Sequence, residues 1–191
     1  MTLPLCLVTG FLGSGKTTFL KRLVADTQRG RLAFVVNEFS ALDVDGTLVG
    51  SGENVVSIPG GSIFCRCLVS EFIGTLKELS RIAETTPLDG VVIEASGMAN
   101  PKVIGDMLRE TKLDDRFALA RVICIVDPGT LYKVLQTLPN TADQVEAADV
   151  VLVNKTDAYP PDRVAATVAQ VRELNPRAEL ELTVRAETST A

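Results

Sequence analysis

The residues Gly10-Phe11-Leu12-Gly13-Ser14-Gly15-Lys16-Thr17 spell G-x-x-x-x-G-K-[ST], a pattern whose chemistry is the holding of nucleotide phosphates. Gly10, Gly13 and Gly15 lack a Cβ, so backbone N–H groups, that of Ser14 included, can converge on phosphate oxygens. A helix beginning near Lys16 would add the positive end of its dipole. In that chemistry Lys16 reaches the β- and γ-phosphates, the Thr17 hydroxyl binds Mg²⁺ and Thr18 touches the α-phosphate. The competing reading is an ordinary glycine turn; the rarity of the full pattern and its place between a strand and a helix weigh against it.

Further along, Asn154-Lys155-Thr156-Asp157 follows the apolar run Val150 to Val153. The N-K-x-D order suits guanine. The Asp157 carboxylate accepts from N1–H and the exocyclic amine, the Lys155 stem packs on the base face and Asn154 ties the loop together. Asn and Asp also favour plain turns at strand ends, so the motif gains its weight from following a phosphate loop, and GTP is favoured over ATP. Val91-Val92-Ile93-Glu94-Ala95-Ser96-Gly97 is an apolar strand ending in an acid. Glu94 can orient water or a hydrated Mg²⁺, and Gly97 can offer its amide to the γ-phosphate, within a candidate switch from Ser96 to Pro101. The alternative for Glu94 is an acid capping a strand end. Val126-Asp127-Pro128-Gly129 reads mostly as a strand exit and turn.

Composition narrows the field. The 191 residues contain no histidine, which excludes histidine bases, Ser-His and Cys-His pairs and imidazole metal ligands. A hydrophobic share of 46% with aromatics at 5% gives an aliphatic core, suited to a parallel sheet covered on both faces. The net charge of −5, with no basic block, excludes nucleic acid as the main partner. No apolar run reaches the roughly 18 residues of a membrane span, and Met1 to Phe11 lacks the basic start of a signal peptide. Cys6, Cys65, Cys67 and Cys124 form no secreted disulfide framework. A cytoplasmic, membrane-free protein is the expectation.

The elements that must position these residues alternate between strand and helix. Strands are predicted over Leu3 to Thr9, Leu32 to Asn37, Asn54 to Ile58, Gly90 to Glu94, Ala120 to Val126, Val150 to Asn154 and Glu179 to Val184. Helices are predicted over Lys16 to Gln28, Val69 to Ala83, Lys102 to Glu110, Leu131 to Thr137, Asp143 to Ala147 and Pro161 to Leu174. Asp143 and Asp162 stand where negative charge suits a helix start. Phe39 to Asn54 reads as one long surface loop. Residues 1–184 read as one nucleotide-binding domain and 185–191 as a flexible tail that frays from Ala186.

Together, TGFLGSGKTT (Thr9 to Thr18), VNEF (Val36 to Phe39), IEASG (Ile93 to Gly97) and QVEAADVVLVNKTD (Gln144 to Asp157) resemble the CobW-type GTPases, relatives of the nickel-insertion GTPases of hydrogenase and urease maturation. The resemblance runs from Leu5 to about Pro176. It implies an α/β P-loop NTPase fold of three layers with a mainly parallel, seven-stranded sheet, and Mg-dependent hydrolysis of GTP to GDP and phosphate as a switch. It places Asn37, Glu38, Phe39 and Asp45 in switch I. It also implies delivery of a metal or corrinoid cofactor to a metalloprotein or corrinoid-protein client, with a homodimer as a further expectation. The alternatives are a P-loop small-molecule kinase and a nucleotide-binding module without turnover.

The family's Cys-x-Cys-Cys metal motif is rewritten here as Gly60-Gly61-Ser62-Ile63-Phe64-Cys65-Arg66-Cys67. Ser62 and Phe64 replace the first two cysteines, Cys67 is added two residues on, and Ala41 stands where the family carries a switch I glutamate. In an extended segment Cys65 and Cys67 face one side and could share Zn²⁺ or another thiophilic metal, with Glu38, Asp43, Glu71, water or a second subunit completing the site. The competing reading is two free thiols and no metal. The family usually continues into a C-terminal domain, of which these residues carry no trace.

Overall fold

The apolar runs are short and rich in Val, Ile and Leu, and the central ones are buried at most positions, which is how strands of a parallel sheet read. In the computed structural model, which describes residues 2–25, 31–37, 55–58, 69–95 and 101–188, they form β1 (Leu3–Thr9), β2 (Leu32–Asn37), β3 (Val55–Ile58), β4 (Gly90–Glu94), β5 (Phe117–Val126), β6 (Val150–Val153) and β7 (Glu179–Leu182). These strands make one seven-stranded sheet in the order β3-β2-β4-β1-β5-β6-β7, and every neighbouring pair is parallel. The expected α/β three-layer fold is therefore present.

Between the strands run α1 (Lys16–Ala25), α2 (Val69–Thr85), α3 (Lys102–Glu110), α4 (Leu131–Thr137), α5 (Pro139–Glu146) and α6 (Pro161–Leu174). Alternation along each strand divides the core in two. Leu5, Leu7, Val91, Ile93, Val122, Val151 and Val153 pack with Phe72, Leu76, Ile104, Val134 and Val171 of the later helices. Val8, Phe34, Val92, Ile123, Ile125 and Leu152 pack on the other face with Phe19, Leu20 and Leu23 of α1. Cys6 lies in β1 and Cys124 in β5, both as free thiols. Burial pushes their pKa values up to about 11 and about 12, so both behave as small apolar side chains.

β1 is the topological pivot. It lies between β4 and β5, and the chain builds outward to one side through β2 and β3 and to the other through β6 and β7. The crevice beyond the carboxyl end of such a strand is where open α/β sheets bind ligands, and residues 10–16 occupy that position.

Two expectations need correction. Asp143 does not start a helix, because α5 begins at Pro139, whose fixed φ suits the first helical position. α1 is described over Lys16–Ala25, and Asp26 to Gln28 lie outside the described residues, as do Asn54 and the long loop from Phe39. The chain also does not fray at Ala186. That residue is 1% exposed within the core around α1, and an Arg22–Glu187 ion pair of 2.7 Å follows it. Among the described residues no helix is long and apolar enough to cross a membrane.

Candidate functional site

The phosphate-loop residues turn through conformations that exclude side chains. Gly10 has φ +132°, and a Cβ there would come 2.2 Å from the Ile125 carbonyl oxygen of the neighbouring strand. Gly15 has φ +115°, and a Cβ there would come 2.2 Å from the Asn154 side-chain nitrogen. The backbone is thereby pressed against β5 and the Asn154 loop, leaving its concave side for a ligand. A turn closes the loop through Ser14 N–H to the Phe11 carbonyl at 3.1 Å, and α1 starts at once. The Ser14 hydroxyl is buried without a hydrogen-bond partner.

Lys16 is 7% exposed, and its ammonium donates to the Gly10 carbonyl at 2.9 Å and the Phe11 carbonyl at 3.3 Å. Burial lowers its pKa, and the Glu94 carboxylate pulls it partly back up. Glu94 itself is 2% exposed at the end of β4. Thr17 is half-buried and Thr18 exposed in the first turn of α1. One carboxylate, one ammonium and one hydroxyl thus gather where β1 and β4 end.

The second motif meets the first in space. The Asn154 side-chain amide donates to the Ser14 carbonyl at 2.9 Å. The Lys155 ammonium donates to the Gly13 carbonyl at 2.7 Å. Lys155 adopts a left-handed backbone with φ 58°, which turns the chain sharply out of β6 into the 3₁₀ turn Thr156–Ala158. Asp157 is exposed in that turn. Residues 10–16 and 154–157, some 140 positions apart in the chain, form one continuous surface.

Two supports were missed in the sequence. The Asn154 side-chain oxygen accepts from the Thr183 hydroxyl at 3.2 Å and from the Ala186 N–H at 2.8 Å, so the segment after β7 clamps the Asn154–Lys155 loop. Asp127 was expected to be a turn residue. It is one, accepting from Gly129 N–H at 2.7 Å, but its other oxygen accepts from the Lys155 ammonium at 2.7 Å. Parallel pairing of Val126 with Val153 brings Asp127 level with Asn154, and strand adjacency was the signal that could have found the contact.

The other expected site residues lie outside the described residues: Glu38 and Asp45 of switch I, Gly97, and the cysteines Cys65 and Cys67. Asn37 ends β2. Among the described residues no group of three or more metal-ligating side chains is present.

Residues 4–181 match the family model described as "CobW/HypB/UreG, nucleotide-binding domain". The chain belongs to that family. Similar curated proteins include the zinc chaperone YeiR of Escherichia coli, 35% identical over 159 residues covering 82% of this chain and 47% of the relative. The zinc chaperone CobW of Pseudomonas aeruginosa is 29% identical, covering 88% of this chain and 53% of its own. The chain thus spans about half the length of the curated relatives it matches. Among solved structures, Zn(II)-bound YjiA GTPase from E. coli superposes with a TM-score of 0.71 at 25% identity, over 100% of this chain and 59% of that one. HypB from Helicobacter pylori, solved in complex with nickel, shares the fold at 19% identity with a TM-score of 0.62, over 97% of this chain and 80% of that one. The arrangement of this CobW/HypB/UreG chain, with the glycine loop and the Asn154–Lys155 loop bound to each other, is that of a nucleotide-binding domain.

Proposed function

We propose that this chain binds GTP with Mg²⁺ and hydrolyses it to GDP and phosphate, as a switch that assists delivery of a metal to a client protein. The observation that carries the reading is the pair of bonds from Asn154 and Lys155 to the carbonyls of Ser14 and Gly13. They tie the N-K-x-D loop directly to the phosphate loop, so that both can face one ligand.

In this reading the loop amides and the α1 N-terminus hold the β-phosphate, and Lys16 exchanges its loop carbonyls for phosphate oxygens. Asp157 accepts from the two guanine donors while the Lys155 stem covers the base face. The donor set fits Mg²⁺: the Thr17 hydroxyl is a hard oxygen ligand and the Glu94 carboxylate would hold the ion through a water, and the orphaned Ser14 hydroxyl gains a partner when the cradle is filled. Mg²⁺, when bound, neutralises charge on the β- and γ-oxygens. Glu94, held in a low-dielectric strand end, orients the water that attacks the γ-phosphorus, with GDP as the leaving group. Metal delivery is supported by the zinc-chaperone relatives. Cys65 and Cys67 are the thiols proposed for the cargo, and the client is a metalloprotein.

The test is nucleotide titration of the wild type and of Asp157→Asn. The wild type should prefer GTP to ATP. The variant should lose GTP affinity by about a hundredfold or more and gain xanthosine triphosphate, since a site built for a hydrogen-bond pattern rejects its mismatch strongly. Unchanged GTP affinity would place the base elsewhere. Phosphate release in Mg²⁺ no faster than in buffer would leave a binding module without turnover, and transfer to a small acceptor would make it a kinase.

A further inference from the structure

Asp127 carries more than its turn requires. One carboxylate oxygen closes the turn by accepting from Gly129 N–H at 2.7 Å, a task that a serine or asparagine performs equally well. The second oxygen accepts from the Lys155 ammonium at 2.7 Å. The Tyr159 hydroxyl donates to the same carboxylate. The side chain of Asp127 is 4% exposed, while that of Lys155 is 39% exposed. Removing a carboxylate from water is costly, and here three donors offset the cost.

The surroundings hold this carboxylate in place. The Arg163 guanidinium donates to the Pro128 carbonyl at 2.7 Å, bracing the turn from α6. Gly129 lies so close to Tyr159 that a Cβ would meet its hydroxyl at 2.2 Å. At the other end of the contact, Lys155 is constrained twice. Its backbone is left-handed at φ 58°, and its ammonium bridges Asp127 and the Gly13 carbonyl, both at 2.7 Å. A free lysine stem has four torsions to order on binding. This one is tied at both ends before a base arrives.

We propose that Asp127 is a positioning residue for purine recognition: it fixes the Lys155 ammonium above the phosphate loop, so that the lysine stem lies as a rigid platform for the face of the base. The assignment rests on the guanine reading of the N-K-x-D loop. Because the stem covers the face and not the edge, Asp127 governs how tightly the base is held and not which purine edge is read.

The test is a double-mutant cycle between Asp127→Ser and Lys155→Ala, read as Kd for GDP and for a non-hydrolysable GTP analogue. Serine keeps the turn's acceptor and gives up Lys155. Asp127→Ser should weaken both nucleotides by the same factor, about tenfold, the scale of one charge-assisted hydrogen bond. In the Lys155→Ala background it should weaken them no further. A repeated loss in that background would make Asp127 a turn residue only and overturn the proposal. So would an unchanged Kd for Asp127→Ser beside a weakened Lys155→Ala. An unchanged Kd for Lys155→Ala would instead strike down the guanine reading beneath it. Should Asp127→Ser fail to fold, Asp127→Asn, of the same size, carries the same cycle with the same outcomes.

Discussion

The glycine loop and the Asn154–Lys155 loop share one end of the sheet, yet they are built in different ways. The glycine loop is mostly local: Lys16 reaches carbonyls five and six residues back, and its turns come from glycines whose conformations other residues resist, seated against β5 and Asn154. The Asn154–Lys155 loop is assembled from distant parts. Asn154 and Lys155 depend on Asp127, 28 residues earlier, on Thr183, 29 later, on Ala186, 32 later, and on the cradle itself. A local site survives as a sequence motif, whereas an assembled one shows only its tip.

That contrast can be broken in graded steps. The largest effect should come from Gly10→Ala, which drives a Cβ to 2.2 Å from a backbone oxygen of β5 at a φ of +132°. Strain of this kind costs about 3 kcal/mol or more, and denaturant unfolding should show it together with loss of nucleotide binding. Wild-type stability in this variant would mean that the loop is not pressed against the sheet as described. A smaller loss follows from Asn154→Ala, which strands the Ala186 N–H, the Ser14 carbonyl and the Thr183 hydroxyl in buried surroundings. About 2–4 kcal/mol is expected, since the hydroxyl can rotate to another acceptor while the two backbone groups cannot. Amide exchange at Ala186 should accelerate in the same variant; if it does not, the segment after β7 is held by something other than Asn154.

The smallest effect is an acid one. Burial alone would raise the Asp127 pKa, but hydrogen bonds from Lys155, Gly129 and Tyr159 outweigh it and hold the value below its ordinary 3.8. A carboxylate depressed on folding stabilises the protein fully above the unfolded value and loses that contribution as pH falls through the folded one. Below about pH 4, therefore, Asp127→Asn should lose stability less steeply than the wild type in thermal melts. Parallel acid limbs would show that the carboxylate gains nothing from its three donors.

Much of the fold was legible because parallel strands are nearly continuous apolar runs. Gly90–Glu94 and Val150–Val153 are buried at every residue and could hardly be mistaken. The glycine loop was legible for the steric reason already given. The Ala186 segment was not, since TVRAET has neither period nor apolar density. Its burial is decided by Asn154 and by α1, in whose core cluster Ala186 packs. Asp127 read mostly as a strand exit and turn because Asp-Pro-Gly is turn chemistry, and it is one. What raises it above a turn is the neighbour of β5 in the sheet, a fact of topology that no local window contains.

The clamp on Asn154 also bears on the order of synthesis. Thr183 and Ala186 leave the ribosome after both the glycine loop and Asn154, so the Asn154–Lys155 loop gains these supports only once the segment after β7 has emerged. Until then the loop lacks part of the bracing that holds it against Ser14 and Gly13 in the folded chain. Its final shape belongs to the stage at which β7 joins the sheet and the domain folds as a unit.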